Sequence, residues 1–162
     1  MNYYFFDTSA LVKYYVSEAG SKWVKELVDA RLPDGTRPTN IIFVAHVTIT
    51  ESAAAFAVLQ RIGRISKRAR DGVFRACMVD IASRRFDRVP VLRVDFQTAA
   101  DLTQRHPLKA YDAMQLAVAL RHNSILASRH LKLIFVSGDK TQLTAAQKEG
   151  LPTENPFDHL SP

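Results

Sequence analysis

The sequence lacks several features on which common classes of protein depend. Of its 162 residues only Cys77 is a cysteine, which excludes both an intrachain disulfide and a cysteine metal cluster. No apolar run approaches the roughly 18 residues needed to span a bilayer, and the start of the chain has no basic, cleavable leader. We therefore expect a soluble, cytoplasmic protein.

Glycine and histidine are also absent from the places where two familiar kinds of site need them. No glycine follows the first apolar segment, which disfavours a dinucleotide site of the Rossmann type. The five histidines show no metal-ligand spacing. What is present is 47% apolar residues, enough for a substantial core, and we expect residues 1–162 to form a single domain.

Short apolar segments separated by helical patterns predict the fold. Four aromatic residues run from Tyr3 to Phe6 without polar alternation, as in a strand covered on both faces. Similar strands are predicted at 41–44 and 133–136, with edge strands at 89–94 and 151–155. Helices between the strands predict a three-layer α/β/α domain with a parallel sheet and the first strand near its centre.

Three acidic residues follow these strands. Asp7 comes directly after the first strand, Glu51 soon after the second and Asp139 after the fourth. Because parallel strands end at one edge of a sheet, where open α/β sheets bind ligands, we expect these side chains to meet. Each also has a local alternative: Asp7 and Asp139 as N-caps, and Glu51 in a capping box with Thr48.

Asp112 is the most informative acidic residue. It interrupts a helix face otherwise made of small and apolar residues, including Ala110, Ala113 and Met114. A carboxylate among such neighbours is costly to bury unless it is paired or binds a metal. Four nearby carboxylates repel one another without a cation, and oxygen ligands without cysteine favour Mg²⁺ or Mn²⁺. Such an ion can activate water and offset developing charge on a phosphodiester.

The order and surroundings of the acids resemble those of a known family. The matching segments are, in chain order, Phe6-Asp7-Thr8-Ser9-Ala10-Leu11-Val12-Lys13, Thr50-Glu51, Tyr111-Asp112-Ala113 with Leu116-Ala117, and Ser137-Gly138-Asp139. Together they are similar to the four acidic motifs of PIN-domain ribonucleases, and especially to VapC-type toxins of toxin–antitoxin pairs. The likeness covers the chain from Tyr3 to about Phe157, with longer loops at 31–40 and 122–132 than in a minimal toxin.

The resemblance implies a five-stranded parallel sheet in the order 3-2-1-4-5. It also implies a Mg²⁺-dependent endoribonuclease that forms a homodimer and is inhibited by a cognate antitoxin. By motif position, Asp7 and Asp112 would be the principal metal ligands. Asp139, also a metal ligand, would complete the pocket with Glu51 and orient water, and the Ser9 hydroxyl would steady Asp7.

Two other functions fit parts of the pattern. A non-catalytic RNA-binding or scaffold protein could keep the fold, but the four intact acids argue against it. A phosphotransfer enzyme could use Asp7 as its nucleophile, but the second acid expected two residues later is Ser9. The leading hypothesis is therefore a metal-dependent ribonuclease.

The charge of +6 is concentrated between Arg61 and Arg93. Ten Lys or Arg residues in this segment accompany only three aspartates, and the rest of the chain is nearly neutral. Such a segment can neutralise an RNA phosphate backbone, and the alternative is an ordinary solvated helix face. Tyr14, Tyr15 and Tyr111 could stack on RNA bases, but aromatic residues at helical spacing are expected in the core.

Overall fold

A computed structural model describes residues 1–159, so the last three residues of the expected 1–162 domain lie outside the described range. Five parallel strands form one sheet in the order β3-β2-β1-β4-β5, which confirms the predicted topology. The strands are β1 (Asn2–Phe6), β2 (Asn40–Ala45), β3 (Asp87–Val89), β4 (Leu133–Val136) and β5 (Thr153–Glu154).

Seven α-helices connect the strands over residues 1–159. They are α1 (Thr8–Tyr15), α2 (Ser21–Asp29), α3 (Thr48–Arg61), α4 (Lys67–Ala82), α5 (Arg93–Arg105), α6 (Ala110–Ala127) and α7 (Lys140–Lys148), and a 3₁₀ turn follows at Pro156–Asp158. Because α6 continues so far, the long loop predicted at 122–132 is wrong over its first half. Across the described helices, none is both long and apolar enough to cross a membrane.

The third strand is shorter and lies earlier than predicted. β3 ends at Val89, so the strand predicted over 89–94 is wrong beyond its first residue. Pro90 has no N–H to offer a strand ladder. The Asp95 carboxylate accepts a hydrogen bond from the Leu92 amide at 2.7 Å, which satisfies a free donor at the start of α5 and favours helix there.

Alternate residues of the central strand face opposite helical layers. Phe5 packs with Phe135 in the core shared with α5, α6 and α7, and Phe6 packs with Val44 and Val136 in the core shared with α1 to α4. Phe6 is also paired in register with both valines. The three central strands therefore end at nearly the same position along the strand direction, and the residues that follow them meet at one edge of the sheet.

Candidate active site

The four predicted acids line one cavity of about 690 Å³ at the carboxyl ends of the central strands. We call this cavity the acidic pocket. Asp7 lies at the β1–α1 junction, Glu51 and Asp112 lie in the first turns of α3 and α6, and Asp139 is the N-cap of α7. The fold thus brings all four together, and their chemical roles stay predictions.

Asp7 is hydrogen-bonded at both carboxylate oxygens. Oδ1 accepts from Ser9 Oγ at 2.8 Å and from the Ala10 amide at 2.9 Å, so Asp7 caps α1 while it lines the acidic pocket. Oδ2 accepts from Ser137 Oγ at 3.0 Å. Burial raises the pKa of Asp7 to about 6, against the opposing effect of these hydrogen bonds. A nearby cation would stabilise the ionised form of a carboxylate that is buried in this way.

The Ser9 hydroxyl links the two turns on which Asp7 and Asp139 lie. It donates to Asp7 and accepts a hydrogen bond from the Gly138 amide at 2.7 Å. A Cβ at position 138 would lie only 3.2 Å from Ser9 Oγ, so glycine leaves room for this contact. The geometry is the one expected of a hydroxyl that steadies Asp7.

Glu51 points into the acidic pocket and does not cap its own helix. Its Oε2 accepts hydrogen bonds from Thr8 Oγ1 at 2.9 Å and from Gln115 Nε2. The Thr48 hydroxyl instead donates to Gln115 Oε1 at 3.2 Å, so the capping-box alternative is wrong. Burial raises the pKa of Glu51; the two hydrogen bonds oppose this rise and the charge on Asp112 adds to it.

Asp112 and Asp139 are coupled through their charges. Burial raises the pKa of Asp112, and the nearby charge on Asp139 raises it further. Asp139 caps α7 by accepting from the Thr141 and Gln142 amides at 2.7 and 3.1 Å, so its N-cap alternative is confirmed. Capping uses Oδ1 and leaves Oδ2 available to a ligand. A bound cation would relieve the repulsion between the two carboxylates.

The donor chemistry of the pocket fits a hard divalent cation. The acidic side chains that line it offer carboxylate oxygens to a cation, and the described residues of its lining include no cysteine or histidine. Over residues 1–159, no three His, Cys, Asp or Glu side chains already converge closely enough to hold one ion. Because Mg²⁺ often binds through one or two carboxylates and keeps several waters, this arrangement remains compatible with Mg²⁺.

A partly buried ion pair lies beside the four acids. Lys13 is 2% exposed, and its Nζ donates to Glu18 Oε1 at 2.8 Å and to the Ala19 carbonyl at 3.1 Å. The same ammonium lies 3.8 Å from the centroid of the Phe157 ring. Lys13, Glu18 and Phe157 all line the acidic pocket. The pair is neutral overall, so it does not cancel the charge of the four acids.

Sequence reasoning missed some residues of the acidic pocket and misplaced another. Gln115 is 2% exposed and holds Glu51; its only signal is its position three residues after Asp112 on one helix face. Tyr111 is 52% exposed and lines the pocket, so its predicted core position is wrong. Tyr14 and Tyr15 pack against the core as predicted.

The fold and the pocket define the class: a three-layer α/β protein with carboxylates lining a cavity at the carboxyl ends of its central parallel strands. A family model described as the PIN domain matches residues 4–138, which is most of the chain. The chain belongs to the PIN domain family. A search of curated proteins found no match.

Solved structures share the fold at low sequence identity. A structure of FitAB bound to the IR36 DNA fragment is 15% identical, with a TM-score of 0.62 and coverage of 98% of each chain. A toxin–antitoxin complex from Klebsiella pneumoniae is 18% identical, with a TM-score of 0.54 and coverage of 94% of this chain and 97% of that one. VapC20 of Mycobacterium tuberculosis, a Sarcin-Ricin loop cleaving toxin, is 16% identical, with a TM-score of 0.57 and coverage of 88% and 94%.

Proposed function

We propose that this protein is a Mg²⁺-dependent endoribonuclease that hydrolyses RNA phosphodiester bonds, acting in the cytoplasm as the toxin of a toxin–antitoxin pair. The observation that carries the proposal is the placement of four acids from four separate elements around one cavity. Membership of the PIN domain family and likeness to toxin–antitoxin structures support it. Mn²⁺, which shares the preference for oxygen ligands, could replace Mg²⁺.

Each acid has a role that its surroundings support. Asp7 and Asp112 would supply the principal ligands: Asp7 is buried and Asp112 half-buried, and a cation would lower the raised pKa of each. Glu51 and Asp139 would orient water around a bound ion, and Asp139 could also bind it directly. When bound, the ion activates water and offsets the charge that develops on the phosphate. Ser9 keeps the Asp7 carboxylate in place.

The test is cleavage of a single-stranded RNA by the purified protein with Mg²⁺, with Mn²⁺ and with EDTA. We expect internal cuts with either metal and none with EDTA. An inactive Asp112→Asn preparation from the same purification identifies any contaminating nuclease. Wild-type cleavage that survives in EDTA, or that is no faster than the background cleavage of the Asp112→Asn preparation, would contradict the assignment.

The proposal includes two protein partners, a cognate antitoxin and a second copy of this chain. The Klebsiella pneumoniae neighbour is a toxin–antitoxin complex, which supports the first. A short neighbouring reading frame that encodes a DNA-binding protein is the natural candidate. Coexpression should restore the growth that this protein alone inhibits, and sedimentation analysis should give the mass of a dimer.

One observation favours a second candidate, a PIN-like RNA-binding or scaffold protein without catalysis. As noted above, no three potential ligands converge within residues 1–159. Two measurements separate the candidates. In calorimetric titration with Mg²⁺, an enzyme should bind the ion, and Asp112→Asn should lose most of that affinity. In an RNA-binding assay, a scaffold should bind RNA equally well with and without Mg²⁺.

A further inference from the structure

Two side chains of the acidic pocket, those of Asp139 and Phe157, lie outside the segment that the family model matches. The match ends at Gly138, whereas Phe157 belongs to the 3₁₀ turn after β5. Phe157 is 41% exposed and lines the pocket together with the four acids. The match to the family model therefore does not account for the place of Phe157 in the pocket.

The turn that carries Phe157 is fixed to the helical layer. Gly20 has φ +84°, and a Cβ there would lie 2.5 Å from the Pro156 carbonyl oxygen, so the close approach requires glycine. Asn155 Oδ1 accepts a hydrogen bond from the Phe157 amide at 3.0 Å. The rings of Trp23 and His159 stack at 4.1 Å with an interplanar angle of 2°. The ring of Phe157 is thus presented by a constrained backbone.

The ring itself is held on two sides. Lys13 Nζ lies over one face, 3.8 Å from the centroid. Cε2 would be 3.1 Å from a Cβ at Gly138, so that edge of the ring abuts the turn between Ser137 and Asp139. Despite these contacts Phe157 stays 41% exposed, and it lines the acidic pocket. The result is a rigid aromatic surface beside the acids.

The chemistry of the acidic pocket indicates which ligand would contact the ring of Phe157. If the acids act on an RNA phosphate, the nucleotides on either side of it must pass the walls of the pocket. Every base has a π-face, and stacking on an aromatic side chain is the common way in which proteins hold unpaired bases. A fixed ring loses little entropy when a base stacks on it. A carboxylate-rich protein segment would be repelled by the same four acids.

We infer that Phe157 is a positioning contact for the RNA substrate: an unpaired base next to the cleaved phosphate stacks on its exposed ring face. This inference rests on the ribonuclease function proposed above. Phe157 holds the nucleotide next to the cleaved phosphate, and the turn after β5 is part of the substrate site.

The test uses a short single-stranded RNA in which 2-aminopurine replaces one nucleotide at a time. Fluorescence is measured on binding in EDTA, which prevents metal-dependent cleavage. Phe157→Leu keeps apolar bulk without a ring, Phe157→Tyr keeps the ring, and Phe96→Leu is the matched control. Phe96 is 62% exposed on α5 and does not line the acidic pocket.

Wild type should quench the probe strongly at one or two adjacent positions, because stacked 2-aminopurine loses its fluorescence. Phe157→Leu should lose that quenching and bind about 5- to 150-fold more weakly, the range expected for one base stacked on an aromatic residue. Phe157→Tyr and Phe96→Leu should behave as wild type. With Mg²⁺ and an RNA abasic at the quenched position, wild type and Phe157→Leu should cleave at the same rate.

Several results would overturn the inference. Equal quenching and affinity in wild type and Phe157→Leu, with cleavage intact, would remove Phe157 from the substrate site and leave the ribonuclease proposal standing. A cleavage defect that persists unchanged on every abasic RNA would show that the ring supports only Lys13 or the acids. Loss of antitoxin binding alone would assign the ring to the protein partner. No RNA binding by wild type would overturn both proposals.

Discussion

Gln115 on α6 donates a hydrogen bond from Nε2 to Oε2 of Glu51 on α3, and this contact directs the Glu51 carboxylate into the acidic pocket. The same amide nitrogen donates to Thr8 Oγ1 at 2.8 Å, and the amide oxygen accepts from Thr48 Oγ1 at 3.2 Å. Three helices are thereby joined by one buried side chain. Such a satisfied network holds its members in a single arrangement.

Replacing Gln115 with leucine should destabilise the protein and loosen Glu51. Thr48 Oγ1 and Glu51 Oε2 would lose a buried partner, at a cost of about 1–3 kcal/mol in the free energy of unfolding. The pKa of Glu51 should also rise further, because the Gln115 hydrogen bond lowers it. Urea unfolding measures the first effect. Gln97→Leu on the exposed side of α5 is the control, and an equal loss in both would show that the network adds no stability.

Glu51→Gln should affect cleavage far more than stability. Glu51 does not cap α3, and a glutamine oxygen can still accept from Thr8 and Gln115, so the melting temperature should stay close to that of wild type. The neutral amide cannot orient metal-bound water as a carboxylate does, and we expect the rate to fall by about 10- to 1,000-fold. A melting temperature that falls in step with the rate would assign Glu51 a structural role instead.

Asp112→Asn should retain the fold and lose Mg²⁺-dependent RNA cleavage. The amide is nearly isosteric but carries no charge for the cation, and we expect a loss of at least about 100-fold in rate. Circular dichroism checks the fold, and Asp101→Asn, an exposed aspartate on α5, is the control for the same chemical change. Full activity in Asp112→Asn under identical conditions would remove Asp112 from the mechanism.

Asp7 should make the metal-free protein less stable as pH rises. Its pKa is about 6 in the folded state, above the unfolded value, so its contribution to stability is fully present below pH 4 and is lost as pH rises through 6. The loss is about 1–3 kcal/mol for a shift of this size. Asp7→Asn cannot ionise at this position. Its Nδ2 can donate a hydrogen bond to Ser137 Oγ, because the Ser137 hydroxyl can donate to Gln142 Oε1 instead, an oxygen 2.9 Å from Ser137 Oγ.

Urea unfolding of wild type and Asp7→Asn in EDTA at pH 4, 6 and 8 measures this effect. The advantage of the variant should grow between pH 4 and 8, because only wild type pays the cost of a buried charge there. Adding Mg²⁺ at pH 8 should stabilise wild type and leave the variant unchanged. A stability difference that does not vary with pH would mean that Asp7 is not desolvated as the structure indicates.

The basic segment should bind RNA phosphates outside the acidic pocket. Arg61, Arg64, Lys67 and Arg68 are exposed around the α3–α4 turn, and Arg64 lies 3.5 Å from Glu18 at the pocket wall. Arg70 is half-buried and pairs with Asp71 at 2.6 Å, so it is a poorer candidate than the sequence suggested. These exposed residues are therefore the candidate phosphate contacts outside the pocket.

Changing Lys67 and Arg68 together to glutamine should weaken binding of single-stranded RNA and flatten its salt dependence. The slope of log K against log salt should fall by roughly 1.4, because each neutralised phosphate of a single strand contributes about 0.7. Cleavage at saturating RNA should be unaffected. Arg129 and Lys132 precede β4 at the opposite edge of the sheet, so their double change to glutamine is the control. An unchanged slope would indicate a solvated face or a protein contact.

The strands, the order of the acids along the chain and the helices that follow them could be predicted, because each depends on local periodicity. Asp7 and Asp139 are examples, because both are N-caps and both line the acidic pocket. The N-cap interpretation and the pocket interpretation of these residues were therefore compatible. The prediction failed at 89–94, where alternating valines fit a strand. Pro90 and the Asp95 contact with the Leu92 amide favour a helix start there instead.

By itself, the sequence determined where the central strands end and that a carboxylate follows each of them or opens the next helix. Only the tertiary structure decided what those carboxylates touch. Thr48 and Glu51 have the spacing of a capping box, worth about 1 kcal/mol, but both side chains instead hydrogen-bond to Gln115, which lies 67 positions after Thr48 and 64 after Glu51. Phe157 had no local signal either, because its place beside Lys13 depends on a close approach of the chain at Gly20. Local energies of this size are overridden when packing brings distant polar groups together out of water.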